Sequence, residues 1–144
     1  MIIKFYRLNS AVQVPIRGTE ESAGYDLSAC LDENFCLKPH EISIIGTGLA
    51  LEIPSGFFGM ICPRSGLAAK HGISILNAPG IIDSDYRGEI KCILINFSEN
   101  EFVIEDKMRI AQLIICKHEN CSFLEKSLNN SERGENGFGS TGLK

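Results

Sequence analysis

The chain is written as short apolar runs set off by turn-forming residues. "IIKFY", "NFCL", "EISIIGTGLALEI", "FFGMIC", "GISIL", "EIKCILINF", "FVIE", "RIAQLIIC" and "CSFLE" are rich in Ile, Val, Phe and Leu. Gly, Pro, Asn or Asp punctuates most of them, which is the pattern of short β-strands. "SGLAAKHG" (65–72) alone has helical composition, with a serine at its start, a glycine at its end and room for about one or two turns. Many short strands at roughly ten-residue spacing predict an all-β fold, a barrel or a distorted jelly-roll-like sandwich. The pattern stops near residue 127. "SLNNSERGENGFGSTGLK" is polar and glycine-rich, so the chain divides into a β domain over 1–127 and a flexible tail over 128–144.

Length and composition narrow the class. A chain of 144 residues with 44% apolar content is one domain with one packed core. No stretch has the apolar length of a membrane span, and "MIIKFYRLNS" lacks the layout of a signal peptide. Six cysteines occur without a Cys-x-x-Cys pair, most among apolar neighbours. They read as reduced, buried thiols of a cytoplasmic protein. The three histidines are scattered singly and read as structural. A net charge of −4 argues against a nucleic-acid binder but leaves room for a small phosphorylated substrate, which needs only a few converging cations.

Four stretches carry candidate chemistry. "GIIDSDYRGEI" (80–90) sets Asp83, Asp85, Tyr86 and Arg87 beside a glycine, as a polar hairpin tip or as something more specific. "PRSGLAAKHGI" (63–73) brings Arg64 and Ser65 to a helix start, which makes either an anion site or ordinary capping by Ser65. In "RIAQLI" (109–114), strand alternation puts Arg109 and Gln112 on opposite faces. The tail offers Arg133, Phe138, Ser140 and Thr141 among glycines, as a frayed end or as a flap over a phosphorylated base. No G-x-x-x-x-G-K-[ST] and no dinucleotide fingerprint occurs.

Together with "AGYDLSA" (23–29), these stretches resemble the five ordered motifs of the trimeric deoxyuridine triphosphatase (dUTPase) family, from residue 23 to 142. Two positions depart from the family pattern. Lys107-Met108 stands where Gly-Asp usually precedes the fourth-motif arginine. Asn136 stands at a usual glycine, and asparagine tolerates the left-handed backbone. The resemblance implies hydrolysis of dUTP to dUMP and pyrophosphate by attack of water at the α-phosphorus, assisted by Mg2+. This chemistry supplies dUMP for thymidylate synthesis and keeps uracil out of DNA. By the same resemblance Asp83 is the general base, and Asp26 contacts the metal through water. Arg64, Ser65, Gly66 and Gln112 hold phosphates, and Arg109 is either a phosphate contact or an ion-pair partner.

Base choice, again by resemblance, falls to Asn77 and to backbone groups near Ile81, Ile82 and Lys91. Tyr86 lies under the deoxyribose where a 2′-hydroxyl would sit, and Asp85 and Arg87 hold the hairpin or a subunit contact. Arg133, Phe138, Ser140 and Thr141 close over the substrate. The family's sites are shared among three subunits, which implies a homotrimer. Two rivals are a dCTP deaminase and a non-catalytic nucleotide-sensing module. The chain has no tryptophan and carries Asp83-Ser84-Asp85-Tyr86 where the deaminase branch would carry its glutamate, and the five motifs are intact.

Overall fold

In chain order the strands are β1 (Lys4–Arg7), β2 (Ile16–Arg17), β3 (Tyr25–Ser28), β4 (Phe35–Leu37), β5 (Ile42–Gly46), β6 (Leu49–Glu52) and β7 (Phe57–Cys62). The helix α1 (Ser65–His71) follows, then β8 (Ile73–Ile75), β9 (Gly80–Ile82), β10 (Lys91–Asn96), β11 (Phe102–Ile104) and β12 (Arg109–Lys117). The computed structural model describes residues 1–137. A five-stranded sheet runs β2-β3-β12-β7-β9 and a three-stranded sheet β5-β10-β8, with two-stranded ladders β1-β6 and β4-β11. All these pairings are antiparallel. Strand alternation drives the assembly: Leu49 and Leu51 of β6 point inward, as does Ile61 of β7. Leu27, Leu37, Leu94, Ile104, Ile110 and Leu113 join them in one buried cluster fed by all four sheets. Each such side chain contributes on the order of 1.5–3 kcal/mol by leaving water. The result is the all-β, jelly-roll-like architecture expected, without a closed barrel.

Three expectations change. "CSFLE" forms no strand: residues 118–137 run without helix or ladder, and Phe123, Leu124 and Leu128 are exposed. An apolar run needs a partner edge, and here regular structure ends at Lys117, ten residues before the compositional break. Residues 80–90 are not a tip between paired strands. β9 joins β7 in one sheet while β10 joins β5 and β8 in another, so the segment crosses between sheets. The cysteines are all free, but only Cys92 is fully buried, whereas Cys36 and Cys121 are exposed. Burial pushes the Cys92 thiol up to about 12 and keeps it protonated. No helix among the described residues is long and apolar enough to cross a membrane.

The turn before β12 holds its shape despite Lys107-Met108. Lys107 takes a left-handed φ of 64°. Its N–H donates to the Ala29 carbonyl at 3.0 Å, and the Ala29 N–H donates to the Met108 carbonyl at 2.8 Å, fastening the turn to the end of β3. A left-handed non-glycine residue is disfavoured by about 1–2 kcal/mol. Glycine's extra chain entropy cancels about 0.5–1 kcal/mol of the relief. The exposed 3.6 Å contact from Lys107 to Asp106 offers little to lose. Lys107→Gly is therefore expected to stabilise the fold by up to about 1 kcal/mol. Denaturant unfolding at fixed protein concentration checks this, as a higher midpoint with an unchanged slope.

Candidate active site

The first part of the site is built where β3, β12 and the start of α1 converge. Asp26 of β3 is mostly buried and accepts from two arginines, Arg64 Nε on one oxygen and Arg109 Nη1 on the other, each at 3.0 Å. Arg64 also donates from Nη1 to the Arg109 carbonyl at 3.0 Å. Charge-assisted bonds of this kind are short and roughly twice as strong as neutral ones. They fix both guanidiniums at the rim of a cavity of about 410 Å³, lined also by Ser65, Gly66, Ser22, Gly24 and Gln112. Two guanidiniums against one carboxylate leave this cavity with net positive charge, suited to an anion.

The pairing of Arg109 with Gln112 corrects the alternation argument. The register of β12 against β3 shifts between Arg109 and Ala111, a bulge that turns both Ile110 and Ala111 into the core. With one residue absorbed, Arg109 and Gln112 face the same cavity. Gln112 Nε2 donates to the Pro63 carbonyl at 3.0 Å, immediately before Arg64. The amide lies where a Cβ on residue 24 would come within 2.4 Å of its oxygen, so Gly24 makes its place.

Ser65 does not cap the helix. It is the first helical residue, Arg64 occupies the cap position in extended conformation, and no side chain bonds the free N–H groups. Arg64 is drawn to Asp26 instead, which leaves those donors open beside the cavity. At the other end Gly72 closes the helix with φ 68°.

The second part of the site is the segment after β9. Asp83 is exposed and lines a separate cavity of about 600 Å³ with Phe57, Phe58, Ile81, Asp85 and His118. Tyr86 is half-exposed, and its hydroxyl donates to the Glu89 carbonyl at 3.1 Å. Arg87 donates to the carbonyls of Ser84 and Tyr86, so it braces this segment. Asn77 and Ile81 are exposed, Ile82 packs partly on the core, and Lys91 opens β10 opposite Gly46. Asp83 and the arginine cavity are thus presented apart on one chain. In the tail, Arg133 Nε donates to the Asn136 carbonyl at 2.9 Å. Gly134, with φ 54°, takes the left-handed position there; Asn136 does not. Phe138, Ser140 and Thr141 lie outside the described residues.

The family model for dUTPase matches residues 10–142. The chain belongs to the dUTPase family. A deoxyuridine 5'-triphosphate nucleotidohydrolase of Orientia tsutsugamushi is 46% identical over 99% of this chain and 97% of its own. The Rickettsia felis protein of the same name is 52% identical over 94% of this chain and 92% of its own. Among solved structures, a Staphylococcus bacteriophage 80alpha dUTPase with dUpNHpp superposes with a TM-score of 0.86 at 29% identity, covering 99% of each chain.

Within this dUTPase, sequence reading missed one pair of contacts and one position. It gave Asp26 a metal role and did not see it as the shared acceptor of two arginines, because those partners lie 38 and 83 residues away. It also passed over Glu89, although that residue stands inside the third motif. Its carboxylate accepts the Gly48 N–H at 2.9 Å.

Proposed function

We propose that the chain hydrolyses dUTP to dUMP and pyrophosphate at sites assembled between the subunits of a homotrimer. One observation carries the reading: the motif residues of a dUTPase are present, yet one chain divides them between two cavities. A second copy that sets its Asp83 segment against this chain's arginine cavity would unite them. Exposed Ile42 and Ile44 on β5, with Leu76 just past the end of β8, support burial against another copy. The run after His118, which joins no strand ladder among the described residues, supports a tail that serves a neighbour's site.

In the assembled site, Arg64, Ser65, Gly66 and Gln112 hold the triphosphate, with Arg109 and Asp26 fixing Arg64. Asp83 takes the proton of the attacking water, which needs an accessible carboxylate. Asn77 and the backbone at Ile81, Ile82 and Lys91 read the uracil edge. Fixed backbone donors and acceptors cannot rotate to suit cytosine, so a wrong base leaves buried polar groups unpaired. Tyr86 fills the space of a 2′-hydroxyl, and Arg133, Phe138, Ser140 and Thr141 close the site.

Mg2+ fits this donor set in one way. Among the described residues no three His, Cys, Asp or Glu side chains gather as a cage, and both oxygens of Asp26 already serve arginines. That suits an ion that Asp26 would contact only through water, with little else from the protein. When bound, the ion neutralises charge on the triphosphate. The six free thiols fit a reducing, cytoplasmic setting.

Pyrophosphate release from dUTP, dCTP, dTTP and UTP tests the reading. Release from dUTP far ahead of the others is expected. Ammonia from dCTP would instead make the chain a deaminase.

A further inference from the structure

The Asp83 segment is closed on itself and fastened to the body at its far end. Within it, the Tyr86 N–H donates to the Asp83 carbonyl at 3.2 Å, and the Tyr86 hydroxyl donates to the Glu89 carbonyl. A Cβ on residue 88 would come within 2.3 Å of that hydroxyl, so the hydroxyl end of the phenol lies against Gly88. The position of the ring is therefore set by where Glu89 sits.

Glu89 sits where the β5–β6 turn holds it. One carboxylate oxygen accepts the Gly48 N–H at 2.9 Å. The same oxygen occupies space that a Cβ on Gly46 would invade at 2.5 Å. The other oxygen is 3.5 Å from Lys91 Nζ, and the carboxylate is only about a quarter exposed. The next residue continues the fastening. Thr47 donates from its hydroxyl to the Ile90 carbonyl at 2.7 Å, and the Ile90 N–H donates to the Leu49 carbonyl at 2.7 Å.

We propose that Glu89 is a positioning residue for sugar choice: its carboxylate, seated in the Gly46–Gly48 turn, holds its own carbonyl under the Tyr86 phenol and so fixes the ring against the sugar. This inference rests on the reading of Tyr86 as the gauge that excludes a 2′-hydroxyl. A gauge discriminates only while it cannot move aside, and a shift of about 1 Å is enough to weaken such positioning. Two independent changes break the seat. Glu89→Ala removes the carboxylate, and Gly46→Ala fills the space it occupies while leaving it in the chain. A third, Tyr86→Phe, keeps the ring and deletes only its bond to the Glu89 carbonyl.

The test is kcat/KM for dUTP and for UTP in each variant, beside the parent, Glu89→Gln and Tyr86→Ala. The expected result is a dUTP/UTP ratio narrowed by about tenfold in Glu89→Ala and Gly46→Ala, mainly through a lower KM for UTP. Tyr86→Phe should narrow it in the same direction. Glu89→Gln, which retains an acceptor for the Gly48 N–H, should restore the ratio toward the parent value. If Tyr86→Ala narrows the ratio while the two seat variants and Tyr86→Phe leave it at the parent value, the role of Glu89 is refuted and the gauge survives. An unchanged ratio in Tyr86→Ala itself would remove the gauge, and Glu89 with it. Should either alanine variant fail to fold, Tyr86→Phe decides, since it removes a single exposed hydroxyl.

Discussion

Asp83→Asn is expected to leave the fold and nucleotide binding intact and to lower kcat by about 10²–10⁴-fold. The amide has nearly the shape of the carboxylate but cannot take a proton from water. Among the described residues, no hydrogen bond or ion pair uses the Asp83 carboxylate. Asp83 is exposed, and the contact that shapes its turn, the Tyr86 N–H to the Asp83 carbonyl, is made by backbone. Surface changes away from structural features shift stability by no more than about 0.5 kcal/mol. Turnover, dissociation constants for a non-hydrolysable dUTP analogue, and Tm are the quantities to compare. A kcat near the parent value would remove Asp83 as the base.

Deleting residues 130–144 is expected to lower dUTP hydrolysis by about 10²-fold or more while Tm without ligand stays unchanged. Residues 130–136 are exposed, and their hydrogen bonds stay within the segment, from Gly134 to Ser131 and from Arg133 to Asn136. Among the described residues, none of this segment belongs to the buried core or packs on it. What goes is Arg133, together with Phe138, Ser140 and Thr141. Ordering a tail has an entropic cost that must be offset by contacts to the substrate, and contacts strongest at the reacting triphosphate raise kcat rather than binding alone. The truncated chain should still bind dUMP weakly. Full activity would make the tail a frayed end, and loss of the oligomer would make it a structural arm.

How far these residues were legible in sequence depended on whether their partners were local. β7, β10 and β12 announce themselves because Ile, Leu and Phe recur at strand spacing, and α1 because Gly72 ends it. β2, β3 and β9 have two to four residues each and exist through pairing with β3, β12 and β7 respectively, partners that lie outside each short run. The bulge at Ile110–Ala111 left only a faint trace, two small or apolar neighbours in a row, yet it decides which face Arg109 and Gln112 share. "CSFLE" shows the converse: strand composition without an edge to join. The motif residues were legible through family resemblance, whereas the seating of Arg64 and Arg109 on Asp26 and of Glu89 on Gly48 required the fold.

The claim that the site is assembled between chains can be tested by mixing two inactive variants. Arg64→Ala disables the phosphate cavity and Asp83→Asn disables the base, so each variant alone should be nearly inert toward dUTP. After joint unfolding and refolding at equal amounts, a site that draws its cavity from one subunit and its base from another becomes whole in about a quarter of cases by random assortment. Activity should therefore rise to about a quarter of the parent value, far above the sum of the two variants. A mixture no more active than its components would contradict the shared site and place Asp83 and Arg64 in the service of one and the same chain.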